Sequence, residues 1–147
     1  MLNMTDNIQI ITTDWKQSRQ ELVQIRTSVF IEEQLVPAEL EWDEFDEQST
    51  HFLAFYDDNP IATARLKPDG QIGRMAVIRN YRNRGIGTKL LTTVLLRATN
   101  TGYSMVYIHA QNQAIDFYKK FNFIHNGTEF MDAGIVHRAM YKLLNNN

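Results

Sequence analysis

Apolar and polar residues change rhythm several times along the chain, and each change marks an element. IQIITT (8–13) alternates with a period of two and predicts a first strand. Asp14 follows as a helix N-cap, and Leu22, Ile25 and Val29 then share one face of a helix running to about Gln34. Pro37 opens a different stretch, PAELEWDEFDE, too dense in carboxylates for a core strand; it reads as a loop or a short helix carrying Trp42 and Phe45. A three-strand meander comes next: HFLAFY (51–56), IATARLK (61–67) and QIGRMAVI (71–78), separated by the turn sequences Asp57-Asp58-Asn59-Pro60 and Pro68-Asp69-Gly70. Ile86, Leu90, Leu91, Val94, Leu95 and Ala98 then recur at helical spacing. YSMVYIHA (103–110) is strand-like, QAIDFYKKF (113–121) lines Ala114, Phe117, Tyr118 and Phe121 along a helix face, and residues 123–144 supply two last strands. Strand, helix, three strands, helix, strand, helix and two strands predict an α/β (α+β mixed) fold, a mixed sheet with helices packed on it.

Composition narrows the function classes. At 147 residues the chain is expected to form one domain over 1–147. A net charge of -2 gives no global pull toward nucleic acid or an anionic membrane. The basic residues gather around one glycine loop rather than over a basic-aromatic surface. Even LLTTVLLRAT is too short and too polar to span a membrane, and the N-terminus lacks the basic and apolar regions of a signal peptide, so a cytoplasmic location is expected. The polar tail 145–147 is expected to fray. The chain has no cysteine, which excludes disulfides, thiolate metal ligands and a cysteine acyl-enzyme. No two histidines have recognised ligand spacing, so no metal is expected.

Chemistry concentrates in RMAVIRNYRNRGIG. Gly85 and Gly87 open a helix after an apolar strand, which frees backbone N–H groups to approach an anion where the helix dipole adds about half a positive charge. Arg82, Arg84 and Lys89 add charge nearby. The spacing is not that of a Walker loop, and Leu90 stands where a dinucleotide fingerprint needs its third glycine. Taken alone, the segment fits an ordinary surface turn equally well.

With its strand before, its helix after and a second strand–helix unit downstream, the segment resembles the GNAT superfamily of N-acetyltransferases, whose motif is Gln or Arg, two residues, Gly, one residue, then Gly or Ala; Arg82, Gly85 and Gly87 match it. HAQNQAIDFYKKFNF looks like the family's second motif, with Ala114 and Tyr118 matching, Gln111 where many members have asparagine, and Asn122 where most have glycine. RTSVFIEEQLVPAELEWDEFDEQSTHFLA, RMAVIRNYRNRGIG, IHAQNQAIDFY and DAGIVHRAM, in that order, narrow the resemblance to the ElaA/YjcF-like branch.

That resemblance implies a mostly antiparallel mixed sheet flanked by helices, acetyl-CoA as co-substrate, and transfer of its acetyl group to a primary amine, small-molecule or protein, in an enzyme that forms a homodimer in some cases. It also implies that Met75, Ala76 and Val77 pair with the pantetheine arm through their backbone and that one of their N–H groups polarises the thioester carbonyl. Arg82, Asn83, Arg84, Gly85, Ile86, Gly87 and Thr88 would hold the pyrophosphate through main-chain N–H groups, with Gln111 a further cofactor contact; the side chains of Arg79, Arg82 and Arg84 either add to that site or are solvated. Tyr118 would protonate the departing thiolate; the same tyrosine fits a packing role beside Phe117 and Phe121.

Without a cysteine or a serine nucleophile elbow, direct attack in a ternary complex is the simpler mechanism. The proton acceptor is less determined. Glu39, Glu41, Asp43, Glu44, Asp46 and Glu47 form an acidic patch that would draw a cationic acceptor or else be a solvated loop, and His51, His109 and His137 are titratable or structural. Glu44 and His51 are the two candidates for the base. A non-catalytic acyl-CoA sensor on the same fold, and an enzyme using a longer acyl-CoA, are the rival readings.

Overall fold

A computed structural model describes residues 7–145; the last two residues of the polar tail lie outside the described residues, as do residues 1–6 at the N-terminus. Strand β1 (Ile8–Thr13) leads into helix α1 (Trp15–Arg26), capped by the Asp14 carboxylate, which accepts from the Gln17 backbone N–H at 2.8 Å. The helix does not stop at Arg26. It widens into π-helical turns over Thr27–Glu33, with Gln34 N–H reaching back to the Val29 carbonyl, and Leu35 at φ 60° ends it. The acidic stretch is both of the things its composition allows: a four-residue helix α2 (Ala38–Glu41) followed by turns.

Strands β2 (Thr50–Tyr56), β3 (Asn59–Leu66) and β4 (Gln71–Val77) form the expected antiparallel meander. Helix α3 (Ile86–Asn100), strand β5 (Met105–Gln111), a short helix α4 (Ile115–Lys119) and the hairpin β6 (Ile124–Asp132) and β7 (Ile135–Leu143) complete the chain. The sheet runs β1-β2-β3-β4-β5-β7-β6, and within it only β4 and β5 are parallel. α4 is shorter than the apolar spacing implies, because residues 112–114 form a 3-10 turn and Asn122, at φ 68°, turns the chain out.

Two apolar layers hold the helices to the sheet. On one face, Ile86, Leu90, Leu91, Val94 and Ala98 of α3 pack with Phe52, Ala64 and Ile108. On the other, Leu22, Ile25, Val29 and Phe30 pack on Leu53 and Ala76. Ala133 and Ile135 of the last hairpin also pack against this second layer, while Met105, Ile124 and Leu143 are exposed.

Candidate active site

The parallel pair is where the sheet opens. β4 and β5 are joined at Gln71–Tyr107 and Ile72–Ile108 and then part. A bulge explains the divergence: β3 pairs Thr63 with Ala76 and Arg65 with Gly73, so two β4 residues, Arg74 and Met75, oppose Ala64 alone. Arg74 takes the left-handed conformation at φ 48°, which bends β4 away from its neighbour. Such a backbone costs about 1 kcal/mol or more for a side chain of this kind. The Arg74 guanidinium offsets it by donating to the Glu41 carbonyl at 2.9 Å and pairing with the carboxylates of Glu41 at 3.0 Å and Asp43 at 3.2 Å. The opening is a cleft of about 280 Å³ whose walls include Met75, Gln111, Ala114 and Tyr118.

The glycine loop lies between β4 and α3. Asn83 (φ 63°) and Gly85 (φ 81°) are both left-handed, and Gly85 is the helix N-cap with no side-chain cap of its own. The first backbone bond of α3 there runs from Lys89 N–H to Gly85 O at 3.1 Å, so the N–H groups of Ile86, Gly87 and Thr88 have no intrahelical acceptor. At Gly87 the protein itself makes no demand for glycine: an added Cβ would sit 3.6 Å from Phe117 Cζ, an ordinary contact. For Arg82 the solvated alternative falls. Its side chain is not solvated but grips Glu33 with two N–H groups at 2.7 and 2.6 Å and donates to the Val77 carbonyl at 2.8 Å, while its backbone N–H bonds Arg79 O. The Arg82 hydrogen bonds hold the Glu33 carboxyl below the usual carboxylate range, against a smaller opposing pull from burial. Arg82 therefore shapes the loop, and Arg79 adds a second, exposed pairing to Glu33 at 3.4 Å.

Tyr118 is buried at the cleft, edge-on to Phe117 and Phe123. Among the described residues its hydroxyl meets no oxygen acceptor, only the Met75 sulfur at 3.7 Å, a weak partner. Burial pushes the phenol up to about 12, so it stays protonated across the neutral range. Gln111 also lines the cleft, its amide tied to Gln34 by exchanged hydrogen bonds of 2.8 and 3.3 Å that span from β5 to the end of the π-helical turns.

The two candidate bases are not brought to this cleft. Glu44 is exposed on the turn after α2, away from the cleft walls. His51 is 1% exposed, donates from Nε2 to the Asp46 carbonyl at 2.8 Å and lies against Trp15; burial lowers its pKa. It is a core histidine.

Half of the acidic patch is likewise structural. Glu41 and Asp46 are buried, and with Asp43 they face the guanidiniums of Arg26, Arg65 and Arg74. Arg26 is 0% exposed, donates to Glu41 at 2.8 Å and Asp46 at 2.7 Å, and lies between the rings of Trp15 and Trp42 at 5.5 and 5.0 Å. Trp42 thus clamps an ion pair, a role the sequence does not announce. The cleft instead receives His109 and His137, with Glu41 and Asp132.

A seven-stranded mixed sheet parted at its parallel pair, with helices on its faces, is the acyl-CoA N-acyltransferase fold. The chain belongs to the GNAT acetyltransferases: the acetyltransferase (GNAT) domain pattern matches residues 15–144. It is similar to the protein of Bacillus subtilis (strain 168) named "Uncharacterized N-acetyltransferase YjcF", with 34% identity over 122 residues covering 80% of this chain and 87% of that one. Among crystal structures it is similar to a Lactobacillus plantarum chain (28% identity, TM-score 0.87, covering 94% of this chain and 99% of that one) and to Escherichia coli ElaA (26%, 0.83, covering 92% and 99%). These relatives set it in the ElaA/YjcF-like branch, and it is an acetyltransferase enzyme rather than a bare sensor. Among the described residues no helix is long and apolar enough to cross a membrane, and no cluster of three metal-ligating side chains occurs.

Proposed function

We propose that this enzyme takes the acetyl group from acetyl-CoA and delivers it to a primary amine by direct attack within a ternary complex. The parting of β4 from β5 beside a glycine-opened helix is the observation that carries this reading. The β4 edge from Met75 to Val77 has no partner on the β5 side, which suits it to pair with the amides of a pantetheine arm. An N–H of that edge would polarise the thioester carbonyl. The pyrophosphate would sit on the N–H groups from Asn83 to Thr88, with Arg84 beside it and Arg82 bracing the loop through Glu33. Gly87 is then small because the ligand, not the protein, comes close.

In the reaction the amine lone pair forms the C–N bond and the C–S bond breaks. The electron pair goes to sulfur, which takes the phenolic proton of Tyr118. The weak Met75 contact leaves that proton uncommitted until the thiolate forms.

Calorimetric titration with acetyl-CoA tests the reading, using wild type beside Gly87→Ala and Gly87→Leu. Saturable binding weakened progressively by the two substitutions, with unchanged circular dichroism, is expected. A folded wild type that does not bind acetyl-CoA would overturn the proposal.

A further inference from the structure

We infer that His137 takes the proton from the acceptor amine, an inference that rests on the acetyl-to-amine reading. Strand alternation places it. Ala110 of β5 packs in the α3-side core, so the neighbouring Gln111 belongs to the opposite face, and Gln111 is paired across the ladder with His137 of β7. Tyr118 approaches the cleft from the α3 side and His137 from the other. A thioester threaded between β4 and β5 would therefore have an acid on one side and a histidine on the side where an acceptor arrives.

The ring is preset. His137 Nδ1 lies 2.8 Å from the Ile135 carbonyl, which can only accept, so Nδ1 carries the hydrogen. In the neutral imidazole Nε2 is then the lone-pair nitrogen. Nε2 has no partner among the described residues, and His137 lines the cleft. Phe130 stacks on the ring at 5.8 Å and 22°, fixing its plane. A base oriented by a carbonyl on its far nitrogen is the arrangement that proton transfer requires.

His109, the other histidine of the cleft, differs: its Nδ1 is 3.4 Å from the Gln71 amide and its ring is exposed. It is also the titratable neighbour of His137, and it feels Asp132, Lys67 and Asp69 in turn; Glu41 and Arg74 form the facing wall. In the step itself, Nε2 takes a proton from the bound ammonium, an N–H bond breaking and Nε2–H forming; the freed lone pair then joins the acetyl carbon, and the second N–H proton leaves the new amide nitrogen as the C–S bond breaks. The imidazolium afterwards releases that proton to solvent, and the Tyr118 phenolate regains one. A neutral amine gives an amide and a thiol with no net change in protons, and an ammonium acceptor releases one proton more.

The test measures acetyl transfer from acetyl-CoA to propylamine, spermidine and an Nα-blocked lysine by wild type, His137→Ala, His137→Gln and His109→Asn. At pH about 7 an alkylamine of pKa near 10.4 is almost wholly ammonium. Loss of the base is expected to lower kcat/KM for the amine roughly 100-fold or more. At pH about 10, where free amine is plentiful, the deficit of both His137 variants is expected to shrink at least about tenfold, with acetyl-CoA affinity unchanged throughout. A merely structural histidine would give a deficit that pH does not repair, and that result, or activity within about threefold of wild type, sinks the inference. So does a pH-repaired deficit in His109→Asn in place of the His137 variants. If wild type binds acetyl-CoA but acetylates none of the amines, the amine reading falls instead, and this inference with it.

Discussion

Arg26→Met removes one cation from a buried set in which three guanidiniums face three carboxylates. The methionine keeps most of the apolar stem between Trp15 and Trp42 but leaves Glu41 and Asp46 without their 2.8 and 2.7 Å partners at sites 3% and 2% exposed. Breaking a buried pair from one side costs about 3–5 kcal/mol, because Glu41 and Asp46 keep their desolvation penalty with only Arg74 and Arg65 left to offset it. Against a total stability of about 5–15 kcal/mol this is a large fraction. It corresponds to a fall in Tm of roughly 10 °C or more. Urea unfolding followed by tryptophan fluorescence suits the measurement, since the chain has two tryptophans and both flank Arg26. The pH dependence carries a sign. Burial raises the Glu41 carboxyl against the pull of Arg74 and Arg26, so its contribution to stability is present at low pH and lost as pH rises through its folded pKa. Without Arg26 that loss is larger, and the Arg26→Met deficit should narrow as pH falls. Asp46→Asn should cost much less in the Arg26→Met background than in wild type, a coupling of about 1–3 kcal/mol. A loss under about 1 kcal/mol for Arg26→Met, or strict additivity with Asp46→Asn, refutes the account of the loop as held by this network.

Tyr118→Phe should lower kcat about 100-fold or more while leaving acetyl-CoA affinity and urea stability near wild type, because the hydroxyl gives up only a 3.7 Å sulfur contact; equal losses of kcat and stability would point to a packing role. Since the phenol lies near 12, no Tyr118 limb is expected in the kcat profile below about pH 11. Glu33→Gln should weaken acetyl-CoA binding several-fold by loosening Arg82, read by calorimetry. Its second effect concerns acid stability. The wild-type carboxyl is held low by Arg82, so its contribution is present above about 4.5 and lost as pH falls through the folded pKa, and the variant should have a shallower acid arm in a pH series of unfolding midpoints.

The alternation of residues 8–13 and the helical spacing of residues 86–98 were enough to place β1 and α3, because each element buries one face and that burial writes itself into the local pattern. The glycine loop was legible for the same reason: its chemistry is contiguous. The π-helical turns over Thr27–Glu33 were not, since their residues keep a near-helical rhythm and the widening depends on a carbonyl five residues back. Nor could the acidic stretch be sorted. Glu41, Asp43 and Asp46 alternate with Glu39, Glu44 and Glu47 in a nearly uniform run, and the difference lies in arginines 15 to 33 positions distant, on α1, β3 and β4. Glu44 belongs to that run and His51 follows it in sequence, whereas His137 becomes conspicuous only once β7 is paired against the end of β5. The bend at Arg74 is equally silent in sequence, as arginine has no intrinsic taste for a left-handed backbone.

The loop after Pro37 divides its side chains between two tasks. Glu41, Asp43 and Asp46 point inward and act as a fastening, while Glu39, Glu44 and Glu47 are exposed and Leu40 is half uncovered at the cleft wall. Fastening and display thus alternate within a dozen residues. The outward positions can be recoded, in charge or in size, without loosening the loop from the sheet, and of those named only Leu40 would carry such a change to the cleft wall.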